Sequence, residues 1–166
     1  MQCKSSYITL VCIVMGCLLY SSCGNGVQEV EIFGVNLPLE SDYKSLEEKL
    51  VKYGVNTEQC GFDDSGCDEG YYYCSAICNE LSSDTVVDLS FDYCFSNKNK
   101  LSVMWKIPAQ SYQEVKCKIE SFISYRHLKL EIDTKNTKYY SFETELLQVQ
   151  IDSVYNEISY HYQITY

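Results

Sequence analysis

The sequence is poor in the residues that most often carry catalysis and nucleic-acid recognition. It has two histidines, one tryptophan, and 13 lysines and arginines against 23 aspartates and glutamates, so its formal net charge is −10. A protein that binds a phosphate backbone needs a positive surface, and this charge balance argues against a nucleic-acid partner. The acidity favours cationic partners, such as a basic protein or a divalent ion, unless it only keeps the chain soluble.

Catalytic motifs are also missing. Nucleophilic catalysis pairs a reactive serine or cysteine with a histidine. Here His127 follows Arg126 in a predicted turn, and His161 falls on the polar side of the last predicted strand. The chain contains no G-x-S-x-G elbow, no H-E-x-x-H motif and no phosphate-binding glycine loop. We therefore expect a protein that is not an enzyme, with no catalytic residue and no cofactor.

The longest apolar run is too short to span a membrane. Residues 7–20 (YITLVCIVMGCLLY) number 14, whereas a spanning helix needs about 20. Lys4 precedes the run and small residues follow it, as in a cleaved secretory signal. We expect residues 1–24 to be a signal peptide and residues 25–166 to form one secreted, extracellular domain without a membrane span. An uncleaved anchor and lipid attachment at Cys23, where LLYSSCG resembles a bacterial lipobox, are the alternatives.

The cysteine count agrees with export. Of ten cysteines, a cut after Gly24 removes four and leaves six, an even number that suits three disulfides in an oxidising compartment. Six cysteines allow 15 pairings, and their spacing does not choose among them. No Asn-X-Ser/Thr sequon occurs, so N-glycosylation is not implied. The cysteines expected to be bonded are Cys60, Cys67, Cys74, Cys78, Cys94 and Cys117.

The acidity is concentrated in the first half of the mature chain. Residues 24–95 carry 15 acids against 3 lysines, whereas residues 96–166 carry 8 acids against 9 bases. Within the acidic half, residues 62–80 (FDDSGCDEGYYYCSAICNE) combine acids with three consecutive tyrosines. Tyrosine gives a large contact area at a low entropic cost. We therefore expect a disulfide-stapled loop that engages a basic protein or a receptor through Asp63, Asp64, Asp68, Glu69, Tyr71, Tyr72 and Tyr73.

The acidic segment also admits other interpretations. Tyrosines that follow acids are targets for sulfation in the secretory pathway, and tyrosine is also an ordinary half-buried strand residue. Calcium binding is disfavoured, because Ser65 and Cys67 stand where an EF-hand loop needs ligands. Zinc binding through cysteines is disfavoured in an oxidising compartment. We expect no metal site.

A helix is predicted over residues 41–54 (SDYKSLEEKLVKYG). Ser41 or Asp42 can cap its N-terminus, and Gly54 is placed to end it. A helix of three turns with one apolar face is not stable alone, so we expect it to pack on a sheet. Its apolar residues recur on one face of a 3.6-residue repeat: Tyr43, Leu46, Leu50 and Tyr53.

The rest of the chain alternates apolar and polar residues, which is the pattern of half-buried strands. A short strand is expected within residues 27–35. From Val86 onward about seven strands are expected, at residues 86–93, 101–107, 115–120, 128–133, 139–143, 147–152 and 158–166.

These strands predict a mainly β fold. A lone sheet would leave much apolar surface wet, so two sheets are expected to pack face to face. We predict a disulfide-stapled antiparallel β-sandwich over residues 86–166, preceded by one short helix and a cysteine-rich acidic loop.

Two sandwich families show a resemblance. The stretch LSVMWKIP (residues 101–108) resembles an early core strand of fibronectin type III domains. Residues 67–151 resemble the secreted lipid-recognition sandwiches of mite group-two allergens and sterol carriers, although the late Cys-Pro-Leu segment of that family is missing. That resemblance implies an apolar pocket between two sheets. An immunoglobulin domain is disfavoured, because Cys94 lies on the polar side of its strand and no cysteine follows Cys117.

Three functional hypotheses follow. The first is a secreted, non-enzymatic binding protein of the effector, toxin or immune-modulator type, which engages a basic protein or receptor through the acidic tyrosine-bearing segment. The second is a carrier of a lipid or another hydrophobic ligand between the two sheets. The third is a component of an extracellular matrix or a biomineral.

Overall fold

The computed structural model describes residues 29–63, 70–78, 81, 86–96 and 98–166. No helix in these ranges is long and apolar enough to cross a bilayer. The α-helices are α1 (Tyr43–Lys52) and α2 (Tyr112–Tyr125). The strands are β1 (Glu29–Ile32), β2 (Val35–Pro38), β3 (Gly61–Asp63), β4 (Tyr71–Cys78), β5 (Val87–Cys94), β6 (Lys100–Pro108), β7 (Lys129–Asp133), β8 (Thr137–Phe142), β9 (Glu145–Asp152) and β10 (Glu157–Thr165).

Eight of the strands belong to one antiparallel sheet. Its order is β3-β4-β5-β6-β10-β9-β8-β7, and β1 and β2 form a separate hairpin. The mainly β class is confirmed. The predicted sandwich is not observed, because the described strands do not divide into two facing sheets. The second sheet consists only of the β1–β2 hairpin, so the resemblances to fibronectin type III domains and to the lipid-recognition sandwiches find no support in the topology.

Helices and the hairpin cover the apolar face of the sheet. On this inner face lie the buried residues of β5, β6 and β10, which occupy every second position of each strand. The opposite, outer face carries their polar neighbours and is not covered by another layer of the described chain. Two layers therefore suffice to bury the core, since only one face of the sheet is apolar.

Helix α2 replaces a strand that the alternation predicted at residues 115–120. Val115 and Ile119 fit both a two-residue and a 3.6-residue repeat, but the strand would also bury Cys117. In the structure Cys117 is exposed, and Phe122 completes the buried stripe at i, i+4 and i+7. A short 3₁₀ helix (Ala109–Ser111) joins β6 to α2, which folds back over the sheet.

An aromatic cluster lies at the centre of the two layers. Trp105 on β6 stacks on Tyr160 on β10, with ring centroids 5.2 Å apart and planes 4° from parallel. Phe33, in the turn of the β1–β2 hairpin, packs edge-on against Trp105 at 5.4 Å. Phe122 of α2 meets Trp105 at 6.2 Å. These rings join the hairpin, α2 and the sheet in one core.

Helix α1 covers the β3–β4 side of the inner face. It begins as predicted, because the carboxylate of Asp42 accepts a hydrogen bond from Ser45 N at 3.0 Å. Gly54 has φ +82°, a conformation that favours glycine and suits the end of the helix. Leu46 and Leu50 are buried, and Tyr43 packs on β4 through Tyr72, with centroids 6.1 Å apart.

The C-terminal end of α2 is tied to β9 by an ion pair. Arg126 Nε donates to Glu145 Oε2 at 2.8 Å, and Tyr162 Oη donates to the same oxygen at 2.7 Å. The Arg126 guanidinium also lies 5.9 Å from the centre of the Tyr162 ring. Burial lowers the pKa of Arg126, but the hydrogen bond to Glu145, the negative charge of Glu145 and the neighbouring Tyr162 together outweigh it, so the net shift is upward. This network holds the helix against the sheet.

The cysteines are bonded only in part. Cys60 and Cys74 form a disulfide that joins the start of β3 to β4, and Cys94 is also disulfide-bonded. Cys78 and Cys117 are free thiols, so the three predicted disulfides are not all formed. Cys78 is buried beneath the hairpin, with Sγ 3.2 Å from the carbonyl oxygen of Phe33. Cys67 lies outside the described residues.

The free thiols should differ in reactivity. Iodoacetamide treatment of the native protein is expected to label the exposed Cys117 rapidly, and to label the buried Cys78 only after unfolding. Peptide mass spectrometry identifies the labelled residue. Labelling of Cys78 as fast as Cys117 in the native protein would contradict its burial under the hairpin.

The aromatic cluster should dominate the stability. We expect Trp105→Ala to lower the free energy of unfolding by about 3–5 kcal/mol, because it opens a cavity where three other rings meet. Met104→Ala is the matched control: Met104 is the preceding residue on the outer face and is 42% exposed, so a loss below about 1 kcal/mol is expected. Urea unfolding followed by circular dichroism measures both. Equal losses would contradict the assignment of the two faces.

Candidate functional site

The three consecutive tyrosines lie on a strand and point to both faces of the sheet. They were predicted in a loop, but β4 begins at Tyr71. Tyr72 is buried in the core against α1, and burial raises its pKa to about 12. Tyr71 and Tyr73 lie on the outer face, because successive strand residues alternate. Tyr72 is therefore not available to a partner, whereas Tyr71 and Tyr73 are adjacent on one surface.

Tyr71 and Tyr73 form a pair of rings beside a carboxylate. Their centroids are 6.4 Å apart. Tyr73 is directly opposite Asp92 of β5, and Tyr71 donates a hydrogen bond to the same carboxylate. Burial, together with this bond, raises the pKa of Tyr71 to about 12. The two phenol rings and the aspartate thus make one preorganised group on the outer face.

A glycine makes room for this group at the edge of the sheet. Gly61 of β3 is directly opposite Tyr73. A Cβ atom at position 61 would lie 2.3 Å from Tyr73 Oη, so the phenol ring packs directly on the backbone of Gly61. A larger residue would displace the ring from its place beside Asp92.

The outer surface of β3, β4 and β5 is acidic and lacks cations. These strands carry no lysine or arginine. Between Lys52 and Lys98 the sequence contains nine acids and no lysine, arginine or histidine. Ile77, which is 60% exposed, adds apolar surface on the same side. We call this surface the acidic face; its residues are Asp63, Tyr71, Tyr73, Ile77, Asp88 and Asp92.

The acidic face overlaps only partly with the predicted site. Asp63, Tyr71 and Tyr73 belong to it. Asp64, Asp68 and Glu69 lie outside the described residues, and Tyr72 is in the core. Asp88 and Asp92 are not among the predicted site residues; they occupy polar positions of the strand predicted at residues 86–93. The pairing of β4 with β5 brings them beside the tyrosines, and no local pattern indicates that pairing.

His161 lies near the middle of the outer face. Its directly opposite neighbours are Met104 on β6 and Gln148 on β9, neither of which is a nucleophile. Burial by the flanking side chains lowers the pKa of His161, and the nearby Asp92 opposes that shift. Within the described part of the chain, no group of three or more His, Cys, Asp or Glu side chains is placed to hold a metal ion.

A cleft opens on the inner face, where the sheet extends beyond α2. We call it the α2 cleft. Its volume is about 430 Å³, within the range of about 300–1,000 Å³ that is common for small-molecule sites. Three tyrosines and two lysines contribute polar groups to its otherwise largely aliphatic walls. It lies between α2 and strands β8–β10 and is lined by Tyr112, Lys116, Ile119, Glu120, Ile123, Asn136, Thr137, Lys138, Tyr140, Val149, Ile151, Ile158 and Tyr160.

Sequence reasoning missed this cleft. The cleft exists because residues 112–125 form a helix. The alternation of apolar and polar residues in this stretch predicts a strand instead, and a strand there would form no such cleft. The only available signal was the second apolar period, in which Val115, Ile119 and Phe122 share one helix face.

Comparison of the chain with known protein families, with curated proteins and with solved structures returned no match. The function is therefore inferred from the geometry of this chain alone.

Chemical modification should report the two faces of β4. With tetranitromethane at pH 8, we expect Tyr73 to be nitrated faster than Tyr71 and Tyr72. The reagent attacks the phenolate: the raised pKa of Tyr71 slows that residue, and the core shields Tyr72. Peptide mass spectrometry over a time course measures the three rates. Nitration of Tyr72 as fast as Tyr73 would contradict the assignment of these two residues to opposite faces of β4.

Proposed function

We propose that this protein is a secreted, non-enzymatic binding protein that recognises a basic protein partner through the acidic face. The observation that carries the proposal is the absence of lysine and arginine from β3–β5, strands that present three aspartates and two tyrosines on one surface. A basic partner is the occupant that complements this charge.

The chemistry of the acidic face suits lysine and arginine side chains. The carboxylates of Asp63, Asp88 and Asp92 can pair with cationic side chains, and the phenol rings of Tyr71 and Tyr73 can accept a guanidinium over their faces. Tyrosine and exposed aliphatic side chains such as Ile77 also add apolar contact area. The negative potential of the region raises the rate of encounter with a cationic partner.

Rigid placement supports a recognition role. The residues of the acidic face are on strands, and the disulfide between Cys60 and Cys74 joins two of the strands at this edge. Because these strands hold the side chains in place, little conformational freedom is lost on binding. The same disulfide is compatible with an oxidising extracellular compartment, and export remains part of the proposal.

The test uses octa-arginine as a defined cationic probe, with its dissociation constant measured by calorimetry at low and physiological salt. We expect D88N/D92N to weaken binding about threefold to tenfold, on the scale of exposed ion pairs. The control is E131Q/E143Q, which removes the same charge on the β7–β8 side and should change affinity little. Equal losses in both variants would show attraction by net charge only, and would refute the site.

Tyrosine is tested in the same assay. Tyr73→Ala should weaken octa-arginine binding, since it removes the most exposed ring of the acidic face. Tyr155→Ala is the control, because Tyr155 is 75% exposed in the β9–β10 turn and lies outside the acidic face. If the two variants bind octa-arginine equally well, the tyrosine pair does not belong to the proposed surface.

A further inference from the structure

The α2 cleft contains a buried hydroxyl without a partner. Tyr160 is 1% exposed, and its Oη finds no hydrogen-bond acceptor or donor among the described residues. Burial raises its pKa, and the neighbouring Tyr112 and Tyr140 raise it further, so the phenol keeps its proton. Tyr72, Tyr93 and Trp105 also bury unpartnered polar atoms, but of these four residues only Tyr160 lines the cleft.

A lysine lies in the same cross-strand row as Tyr160, that is, among residues directly opposite one another on neighbouring strands. Val149 of β9 is directly opposite both Lys138 of β8 and Tyr160 of β10. The three side chains therefore lie side by side on the inner face, with the aliphatic Val149 between two hydrogen-bond donors. Lys138 pairs with Asp133 at 3.0 Å. An ammonium group has three donors, so this ion pair leaves donors for another acceptor.

The aliphatic part of the cleft wall is formed by α2 and by the sheet. Ile119 and Ile123 of α2 lie one turn apart on the helix wall, and Ile158 and Ile151 are opposite each other in the next row of the sheet. The lining residues of α2 run from Tyr112 to Ile123, which corresponds to about 16 Å of helix at 1.5 Å per residue. A wall of this shape suits a single extended chain.

We propose that the α2 cleft binds a single-chain aliphatic carboxylate, whose oxygens accept hydrogen bonds from Tyr160 Oη and Lys138 Nζ above Val149. Its hydrocarbon chain packs against Ile119, Ile123 and Ile158. This ligand satisfies the buried hydroxyl and brings a negative charge to a lysine. Both lysines of the lining are already paired with a carboxylate, Lys116 with Glu120 at 3.8 Å and Lys138 with Asp133 at 3.0 Å. An anionic ligand therefore takes the donors that each ammonium group has left, whereas a cationic ligand would have to compete with these lysines for Glu120 and Asp133.

The inference is independent of the acidic face. That surface is on the outer side of β3–β5, whereas the cleft is on the inner side of β8–β10. Octa-arginine and a fatty acid should therefore bind without competition, and loss of one activity by mutation should leave the other intact.

The experiment measures binding of dodecanoate and of 1-dodecanol to the full mature chain, by displacement of 1-anilinonaphthalene-8-sulfonate. We expect dodecanoate to bind at least about tenfold more tightly than the alcohol, because it accepts a charge-assisted hydrogen bond. Tyr160→Phe should weaken dodecanoate binding about tenfold or more. Its thermal midpoint should not fall, since the substitution removes an unpaired buried hydroxyl.

Two matched controls isolate the proposed contacts. Tyr93→Phe removes another buried, unpartnered hydroxyl outside the cleft, and should leave dodecanoate binding unchanged. Lys138→Gln should weaken dodecanoate binding about threefold to tenfold, whereas Lys129→Gln, which removes the same charge from β7 outside the lining, should not.

Three results would overturn the inference. Failure of the wild-type chain to bind dodecanoate removes the ligand class, and so does equal binding of 1-dodecanol. Unchanged dodecanoate affinity in Tyr160→Phe removes the assigned contact even if the cleft is occupied. Octa-arginine binding is measured on the same variants, so failure of the cleft is distinguishable from failure of the acidic face.

Discussion

The need to cover one apolar face of a single sheet organises this molecule. The sheet has eight strands, and its inner face is covered by the hairpin turn, α1 and α2. Trp105 is the meeting point, because its ring touches Phe33 of the hairpin, Phe122 of α2 and Tyr160 of the sheet. Once these contacts are made, the apolar face of the sheet is covered, and the polar outer face can remain in contact with solvent.

The two proposed surfaces follow from this division. The acidic face lies on the uncovered side, where strands carry polar residues that the core does not need. The α2 cleft lies on the covered side, where helix α2 alone does not cover the full width of the strands that it faces. Tyr160 belongs to both the core and the cleft, since it stacks on Trp105 and lines the opening. The proposed ligand contact is therefore made by a core residue, which has little freedom of movement.

Sequence patterns predicted the elements whose periodicity is unambiguous. The alternation in β5, β6 and β10 identified the buried residues of each, and Asp42 and Gly54 marked the ends of α1. The pattern failed at residues 115–120, where two apolar positions fit either period. It also placed Tyr71 in a loop, because the turn and cysteine residues before it obscured the start of β4.

By itself, the sequence determined which residues of each strand are apolar, where α1 begins, and that the region between Lys52 and Lys98 has no cation, because these are local or compositional properties. Only the tertiary structure decided that eight of the strands form one sheet, since a sandwich would bury the same residues. It also decided which tyrosines are available and which side chains meet. Lys138 and Tyr160 become neighbours only through the pairing of β8, β9 and β10, and no local pattern encodes that long-range register.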